Sequence, residues 1–299
     1  MTLAIIIPAY KDTFLAGTLK SLAAQSDQDF SVYIGDDNSP FDIKKVVDLY
    51  KGILNIKYVR FNENLGGNNL VAQWERCINL STEDWIWLFS DDDYMAPDCV
   101  KLLKEELAKK ELYDIYHCNI NVIDRNGETI KRVQYPNVIT SKELYKAKLK
   151  WKLDCYAVEF IFSRKIYNKS GGFVPFDLAW GSDLATWVKY GAKRGIKTIE
   201  GATVYWRSSG ENISSIQSEE IVLRKINALI AFLRWGENEF NGKDIRVVNS
   251  LGFIKRLLHY TPAISKNACK VSINLFTKNT IHRWLLKFIY EAGYLLKNR

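Results

Sequence analysis

Trp87-Leu-Phe-Ser-Asp-Asp-Asp-Tyr-Met-Ala-Pro97 places three consecutive carboxylates, Asp91, Asp92 and Asp93, directly after an apolar run. Adjacent like charges repel, and a strand end has no structural need for three of them. A divalent cation removes that repulsion, and carboxylate oxygens are natural ligands of Mg2+ or Mn2+. The oxygens of a diphosphate would complete the shell of such a metal, and the metal would neutralise the charge developing on a nucleoside diphosphate as it leaves. The plainer reading is that one of the three caps the helix near Pro97 or makes a structural hydrogen bond. Two further groups of polar residues resemble the first in kind. Asp36-Asp37-Asn38-Ser39 is either a polar turn or a set of acceptors for the N–H and O–H groups of a base or ribose. Asn64-Leu-Gly-Gly-Asn-Asn69 has turn chemistry and carries Asn64 as its candidate ligand contact.

The elements that must position these groups are legible from periodicity. Leu3-Ala-Ile-Ile-Ile7, ended by Pro8, is a continuously apolar run of the kind found in buried parallel strands. Residues 12–25 have helical spacing, Phe30–Ile34 is a second strand, Asp42–Tyr50 a helix, Ile56–Arg60 a third strand, Leu70–Leu80 a helix and Trp85–Phe89 a fourth strand. This alternation is the rhythm of a doubly wound, mainly parallel α/β sheet. Such sheets bind ligands beyond the carboxyl ends of their strands. The polar ends Pro8-Ala9-Tyr10, Asp36-Asp37, 62–69 and Ser90–Asp93 are therefore expected to converge on one crevice. Farther on, a helix over 98–110, a strand over Asp114–Val122 and a hairpin over Ile123–Val133 centred on Asn126-Gly127 are predicted. Residues 219–235 are helical, and beyond Gly242 the pattern is helical and basic. The expected division is 1–215 for a catalytic body and 216–299 for a helical basic C-terminal region.

Composition narrows the function. The apolar and charged fractions suit a globular protein with a full core. No run of about 18 uncharged apolar residues occurs, and the first residues lack the basic start of a secretory leader. Five scattered cysteines without Cys-x-x-Cys spacing predict buried thiols, and three isolated histidines argue against a histidine-rich zinc site. Neither Gly-x-Gly-x-x-Gly nor Gly-x-x-x-x-Gly-Lys-Ser/Thr occurs, which disfavours a dinucleotide fold and a P-loop kinase or ATPase. Residues 243–299 hold eleven Lys or Arg against two acidic residues, whereas the whole chain is +8, so the basicity lies in this tail and the rest is close to neutral. Nucleic-acid binding is disfavoured by the carboxylate-rich crevice and the lack of a recognised module.

Four segments together, Ala4-Ile-Ile-Ile-Pro-Ala-Tyr10, Ile34-Gly-Asp-Asp-Asn-Ser39, Asn62-Glu-Asn-Leu-Gly66 and Trp87 to Pro97, resemble family 2 glycosyltransferases of the bacterial surface-polysaccharide type. The resemblance covers residues 1–215 and implies the GT-A fold, a nucleotide-sugar donor, most commonly a uridine nucleotide, and inversion at the anomeric carbon. It implies that Pro8, Ala9 and Tyr10 line the nucleotide site, that Asp37 with Asp36 beside it contacts the base, and that Asn64 lies near the base and ribose. Matched from Pro97, the family's Asp-x-Asp motif starts at Ser90, a departure that puts serine where the first carboxylate is usual. Asp92 then becomes the main metal ligand, Asp91 a neighbour of the donor and Asp93 a support for the loop. The general base that inversion requires falls on Asp183, with Ser182 where Glu is common. The competing reading is a helix cap, and Asp177 is the local rival. Arg207, in Tyr205–Ser214, is implied as a clamp on the diphosphate, with a surface salt bridge as its alternative. Trp180 is a candidate for stacking on sugar or base.

The tail 243–299 has amphipathic helices, including Ile281–Arg299. They either pack on the body or attach to an anionic membrane surface, which would suit an enzyme acting on a lipid-linked saccharide at the inner face of a bacterial plasma membrane. Two rival functions remain open. A sugar-1-phosphate nucleotidyltransferase shares the metal and nucleotide chemistry but normally carries a Gly-rich, basic loop after its first strand. A non-catalytic carbohydrate-binding protein would need neither metal nor base.

Overall fold

The computed structural model describes residues 1–210 and 215–297. The chain begins β1 (Leu3–Ala9), α1 (Leu15–Ala23), β2 (Ser31–Asp36), α2 (Ile43–Asp48), β3 (Ile56–Arg60), α3 (Leu70–Ile78) and β4 (Trp85–Leu88). Every residue of β4 and all but one of β1 are buried, because helices cover both faces of the sheet where they lie. Asp42 and Asn69 start α2 and α3 by accepting the amides of Lys45 and Ala72 on their side chains. β2 outlasts its apolar run by two residues. Gly35 and Asp36 stay in register with β1 and β3 because Asp36, fully buried, is neutralised there by Tyr58 and Arg60.

There follow β5 (Tyr94–Met95), α4 (Cys99–Leu107), β6 (Ile115–Ile123), β7 (Thr129–Val133), β8 (Val138–Ile139), α5 (Ser141–Leu149), β9 (Phe160–Ser163), α6 (Arg164–Ser170), α7 (Ser182–Tyr190) and β10 (Ile196–Arg207). The central sheet runs β3-β2-β1-β4-β9-β6-β10-β5, with β7 added to β6 and β8 to β10. Pairing is parallel from β3 through β4 and again between β6 and β10, and it reverses on either side of β9. This mixed, mostly parallel sheet carries the doubly wound arrangement expected from the alternating elements and agrees with the GT-A fold that the resemblance implies. The predicted hairpin is the β6–β7 pair, whose turn centres on Asp124 and Gly127.

Four helices close the chain: α8 (Glu219–Phe240), α9 (Lys243–Tyr260), α10 (Lys266–Phe276) and α11 (Thr280–Lys297). They share one core with the sheet. Tyr145 of α5 packs against Phe232 and Phe240 of α8 and donates its hydroxyl to Asn249 of α9 (2.8 Å), whose amide returns to the Leu233 carbonyl. α11 inserts Leu286 and Tyr290 and leaves its other face outside. Among the described residues no helix is long and apolar enough to cross a membrane.

One core residue is costly. Glu159, fully buried before β9, accepts the Tyr156 amide on one oxygen (2.9 Å), and its other oxygen has no partner among the described residues. Burial pushes its pKa up to about 8, far above the unfolded value of about 4.3. A raised folded-state pKa contributes stability that is fully present below the unfolded value and lost as pH rises toward the folded one. Thermal stability is therefore expected to decline between pH 5 and pH 8 by the Glu159 contribution, and Glu159→Gln to flatten that decline. Melting curves across this range test it; an unchanged slope in the variant would contradict it.

Candidate functional site

β4 releases the chain into Ser90–Asp93, and the three carboxylates part there. Asp91 turns back to the end of β1, where its Oδ2 accepts the amides of Tyr10 (2.7 Å) and Lys11 (2.8 Å). Asp93 is buried and faces β10: one oxygen accepts the Arg207 amide (2.7 Å), and its carbonyl accepts the Thr18 hydroxyl (2.7 Å). Asp92 lies between them and borders a cavity of about 270 Å3 with Pro8, Leu70, Trp74 and Trp206. Ser90 Oγ stands 2.7 Å from both Asp92 Oδ1 and Asp93 Oδ2. One hydroxyl proton serves only one of these acceptors at a time. Burial, followed by the Asp92 charge, pushes the Asp93 carboxyl well up. Burial, followed by the Asp92 charge, likewise raises Asp91 to about 6, and burial raises Asp92. A carboxylate at position 90 would add a fourth charge to this loop; serine adds a bridge.

Arg207 lies beneath the loop and is buried. Its guanidinium donates to the carbonyls of Asp92 (2.9 Å), Asp124 (3.2 Å) and Arg125 (2.9 Å) and lies 4.3 Å from the centre of the Phe14 ring. It ties the acidic loop to the β6–β7 turn, and its charge favours ionised Asp92. Of the Tyr205–Ser214 segment, residues 211–214 lie outside the described residues.

The four polar strand ends do meet. Ala9 accepts the Asp37 amide through its carbonyl, and Tyr10 accepts the Ser39 hydroxyl (2.6 Å). Asp36 is spent internally, on the Ser39 amide (2.8 Å), Tyr58 hydroxyl (2.6 Å) and Arg60 (2.9 Å). Asp37 organises the 62–69 loop by accepting the amides of Leu65 (2.7 Å) and Gly66 (2.8 Å), and it pairs with Arg76 of α3. Gly66 is required there, since a β-carbon would meet Asp37 Oδ2 at 2.7 Å. Asn64 closes an Asx turn on the Gly67 amide (2.9 Å), so its side-chain oxygen serves the loop itself.

Asp183 occupies the second position of α7, behind Gly181, whose φ of +88° and contact with the Phe232 ring leave no room for a side chain. It borders a larger cavity of about 690 Å3 together with Tyr156, Trp180 and Trp206. Its Oδ1 accepts only the adjacent Leu184 amide (2.8 Å), and burial raises its pKa. Asp177 is not on this cavity. It holds Arg224 of α8 through two bonds (2.9 and 2.7 Å), which lower its pKa. Trp206 lies on both cavities, stacked on Tyr156 at 4.0 Å. Its neighbour Arg207 points through the opposite face of β10 to the acidic loop, as alternation along a strand requires.

Sequence reasoning missed several cavity residues. Trp74 and Trp206 have no distinctive spacing, and neither does Arg76, which pairs with Asp37 outside the cavities. α9 of the basic C-terminal region supplies Gly252, Arg256, His259 and Tyr260 to the cavity that Asp183 borders. Among the described residues no three His, Cys, Asp or Glu side chains form a ready metal cage.

The crowding of desolvated carboxylates has a measurable cost. Asp92→Asn is expected to raise the melting temperature of the ligand-free protein by roughly 2–4 °C, the effect of about 1 kcal/mol in a large domain. A lowered melting temperature would show that the ionised Asp92 holds the loop together instead.

Comparison with known proteins agrees with this geometry. Residues 4–171 match the family model described as glycosyl transferase family 2. The hyaluronan synthase of Pasteurella multocida is 25% identical over 75% of this chain, and the abequosyltransferase RfbV of Salmonella typhimurium 29% over 40%. The matches span 28% and 36% of those proteins' own lengths. Among solved structures, S. aureus TarS (residues 1–349, with UDP-GlcNAc) superposes over 98% of this chain and 92% of its own with a TM-score of 0.59 at 16% identity. The mannosyltransferase PcManGT of Pyrobaculum calidifontis, solved with GDP-Man and Mn2+, covers 99% and 86% with a TM-score of 0.53 at 14% identity. The two similarities give the fold, and the family model gives the lineage: this chain, with its acidic loop at the end of β4, belongs to glycosyl transferase family 2.

Proposed function

We propose that the protein transfers a sugar, with inversion, from a nucleoside-diphosphate donor to a hydroxyl of a saccharide acceptor, as in surface-polysaccharide synthesis. The observation that carries this reading is the position of Trp206, where the cavity bordered by Asp92 meets the cavity bordered by Asp183. Donor and acceptor taken up on its two sides would bring an anomeric carbon between the two carboxylates. Uracil suits the base end: Asp37 Oδ2 holds one amide and keeps a lone pair for an N–H, while Arg76 offers donors to a carbonyl. TarS with UDP-GlcNAc and PcManGT with GDP-Man and Mn2+ support a nucleotide-sugar donor.

The residues fit Mn2+ or Mg2+. Mg2+ typically takes one or two carboxylates and completes its shell with phosphates and water, and Asp92 Oδ2 accepts no hydrogen bond from the described residues. Such a cation would offset the charge that develops on the diphosphate as the sugar leaves. Asp91 and Asp93 hold the loop against β1 and β10, and Arg207 braces it from below. Asp183 takes the proton of the acceptor hydroxyl. Its raised pKa strengthens it as a base at neutral pH.

Asp183→Asn should lower kcat by about 10²–10⁴, the usual worth of a general base, with donor affinity little changed. The wild-type kcat/KM should fall toward acid pH with an apparent pKa above the ordinary Asp range, because the ionised form is the active one. Steady-state kinetics with nucleoside diphosphate release as readout test this. Full activity in Asp183→Asn would remove it as base, and pyrophosphate exchange in place of diphosphate release would favour the nucleotidyltransferase. Metal-independent binding without turnover would favour the carbohydrate-binding protein.

The outer face of α11 supports a membrane-bound acceptor. Ile281, Trp284, Phe288, Leu295 and Leu296 are all more than 60% exposed, and Arg283 and Lys287 flank them. An apolar stripe beside cations suits an interfacial helix on anionic lipid. The protein should co-sediment with phosphatidylglycerol vesicles and much less with phosphatidylcholine ones, and W284E/F288E should release it. Equal sedimentation with both lipids, or none in the wild type, would rule out this attachment.

A further inference from the structure

The cavity beside Asp183 carries a cation that no carboxylate of the described residues answers. Arg256 of α9 is half-buried in its wall, with its guanidinium 4.9 Å from the centre of the Trp151 ring and 5.9 Å from that of Tyr260. No carboxylate of the described residues lies within ion-pair distance of it. The nearest acidic influence, Asp154, is already paired with Lys131 at 2.5 Å. A guanidinium cannot shed its charge, so burial without a partner is costly unless a ligand supplies one. The buried Tyr260 hydroxyl on the same wall lacks a well-formed hydrogen bond and has only the Arg256 guanidinium near it. Other cations reinforce this end. Lys255 lies 4.4 Å from the Trp151 ring, and Lys148 projects into the same cavity, held by the Cys155 carbonyl at 3.0 Å. The backbone is also unusual here. Trp151 has φ +58° and Ala179 φ +53°, left-handed values that residues with side chains seldom adopt and that cluster at binding sites.

We infer that the acceptor is an anionic saccharide, and that Arg256, steadied by Trp151 and aided by Lys148, receives its carboxylate or phosphate while Tyr156 and Trp206 face the sugar to be extended. This rests on the reading of the Asp183 cavity as the acceptor site. A guanidinium binds either anion through paired hydrogen bonds, so the chemistry is shared and the source is settled by experiment. Arg256 would thus fix acceptor choice from a helix outside the β4 loop and its nucleotide contacts.

The test measures binding by calorimetry, with donor diphosphate and Mn2+ present, to two probes and their neutral forms. One is a glucuronate-containing tetrasaccharide beside its carboxyl-reduced counterpart; the other is a phosphorylated oligosaccharide beside its dephosphorylated counterpart. The charged member of at least one pair should bind about tenfold or more tighter, and R256Q should lose that difference while R256K keeps part of it. The pair that shows the preference identifies carboxylate or phosphate. Equal binding of charged and neutral forms, binding of neither charged probe, or an unchanged preference in R256Q overturns the inference. Donor binding measured alone separates this from the underlying reading: a protein that binds no nucleotide sugar fails as a transferase, whereas one that binds donor but no charged probe fails only here.

Discussion

Three neighbouring carboxylates in a half-desolvated loop cannot be treated alike, and the site depends on how their repulsion is divided. Asp91 is answered by two backbone amides at the end of β1. Asp93 is buried against β10, where desolvation and the Asp92 charge push its carboxyl well up. Asp92 borders the smaller cavity, and its Oδ2 accepts no hydrogen bond from the described residues. Ser90 makes this division workable, since its hydroxyl bridges the two inner carboxylates where another acid would repel them. Arg207 braces the loop from below through the carbonyls of Asp92, Asp124 and Arg125.

The same strand that supports this loop connects it to the second cavity. In β10, Arg207 and Trp206 point to opposite faces, so one short segment braces the acidic loop and forms the junction between cavities. α9 closes the larger cavity from the other side. Removing the helices after β10 would therefore take away a wall of the Asp183 pocket as well as a packing partner. The C-terminal region has two faces with different work: α9 turns Arg256 inward, while α11 turns an apolar and basic stripe outward.

Much of this arrangement was visible in local sequence. The buried strands are short unbroken apolar runs, and the strand-helix alternation gives the sheet and the convergence of its polar ends. The ranking of Asp92 over its neighbours is what the family resemblance, matched from Pro97, implies. What local sequence could not give is where a polar group spends its hydrogen bonds. Asp36 and Asp37 look equivalent in a turn, yet one is sealed between β2 and β3 and the other organises the 62–69 loop. Arg207 looks like a free cation until the carbonyls of the β6–β7 turn are placed beside it. Asp177 and Asp183 are separated by six positions, but only the second reaches the cavity, because a left-handed turn at Leu178 and Ala179 directs the first toward Arg224. Arg256 is invisible for a different reason: its relevance depends on α9 folding back across more than a hundred residues.

The central claim is that Asp92 and Asp183 act on one reacting carbon from the two sides of Trp206. A crystal structure with nucleotide sugar and Mn2+ tests it most directly, using the anomalous signal of the metal. The account predicts a peak on Asp92 shared with the donor diphosphate, and an anomeric carbon turned toward the Asp183 cavity. A peak elsewhere, or a donor sugar directed away from Asp183, would contradict it.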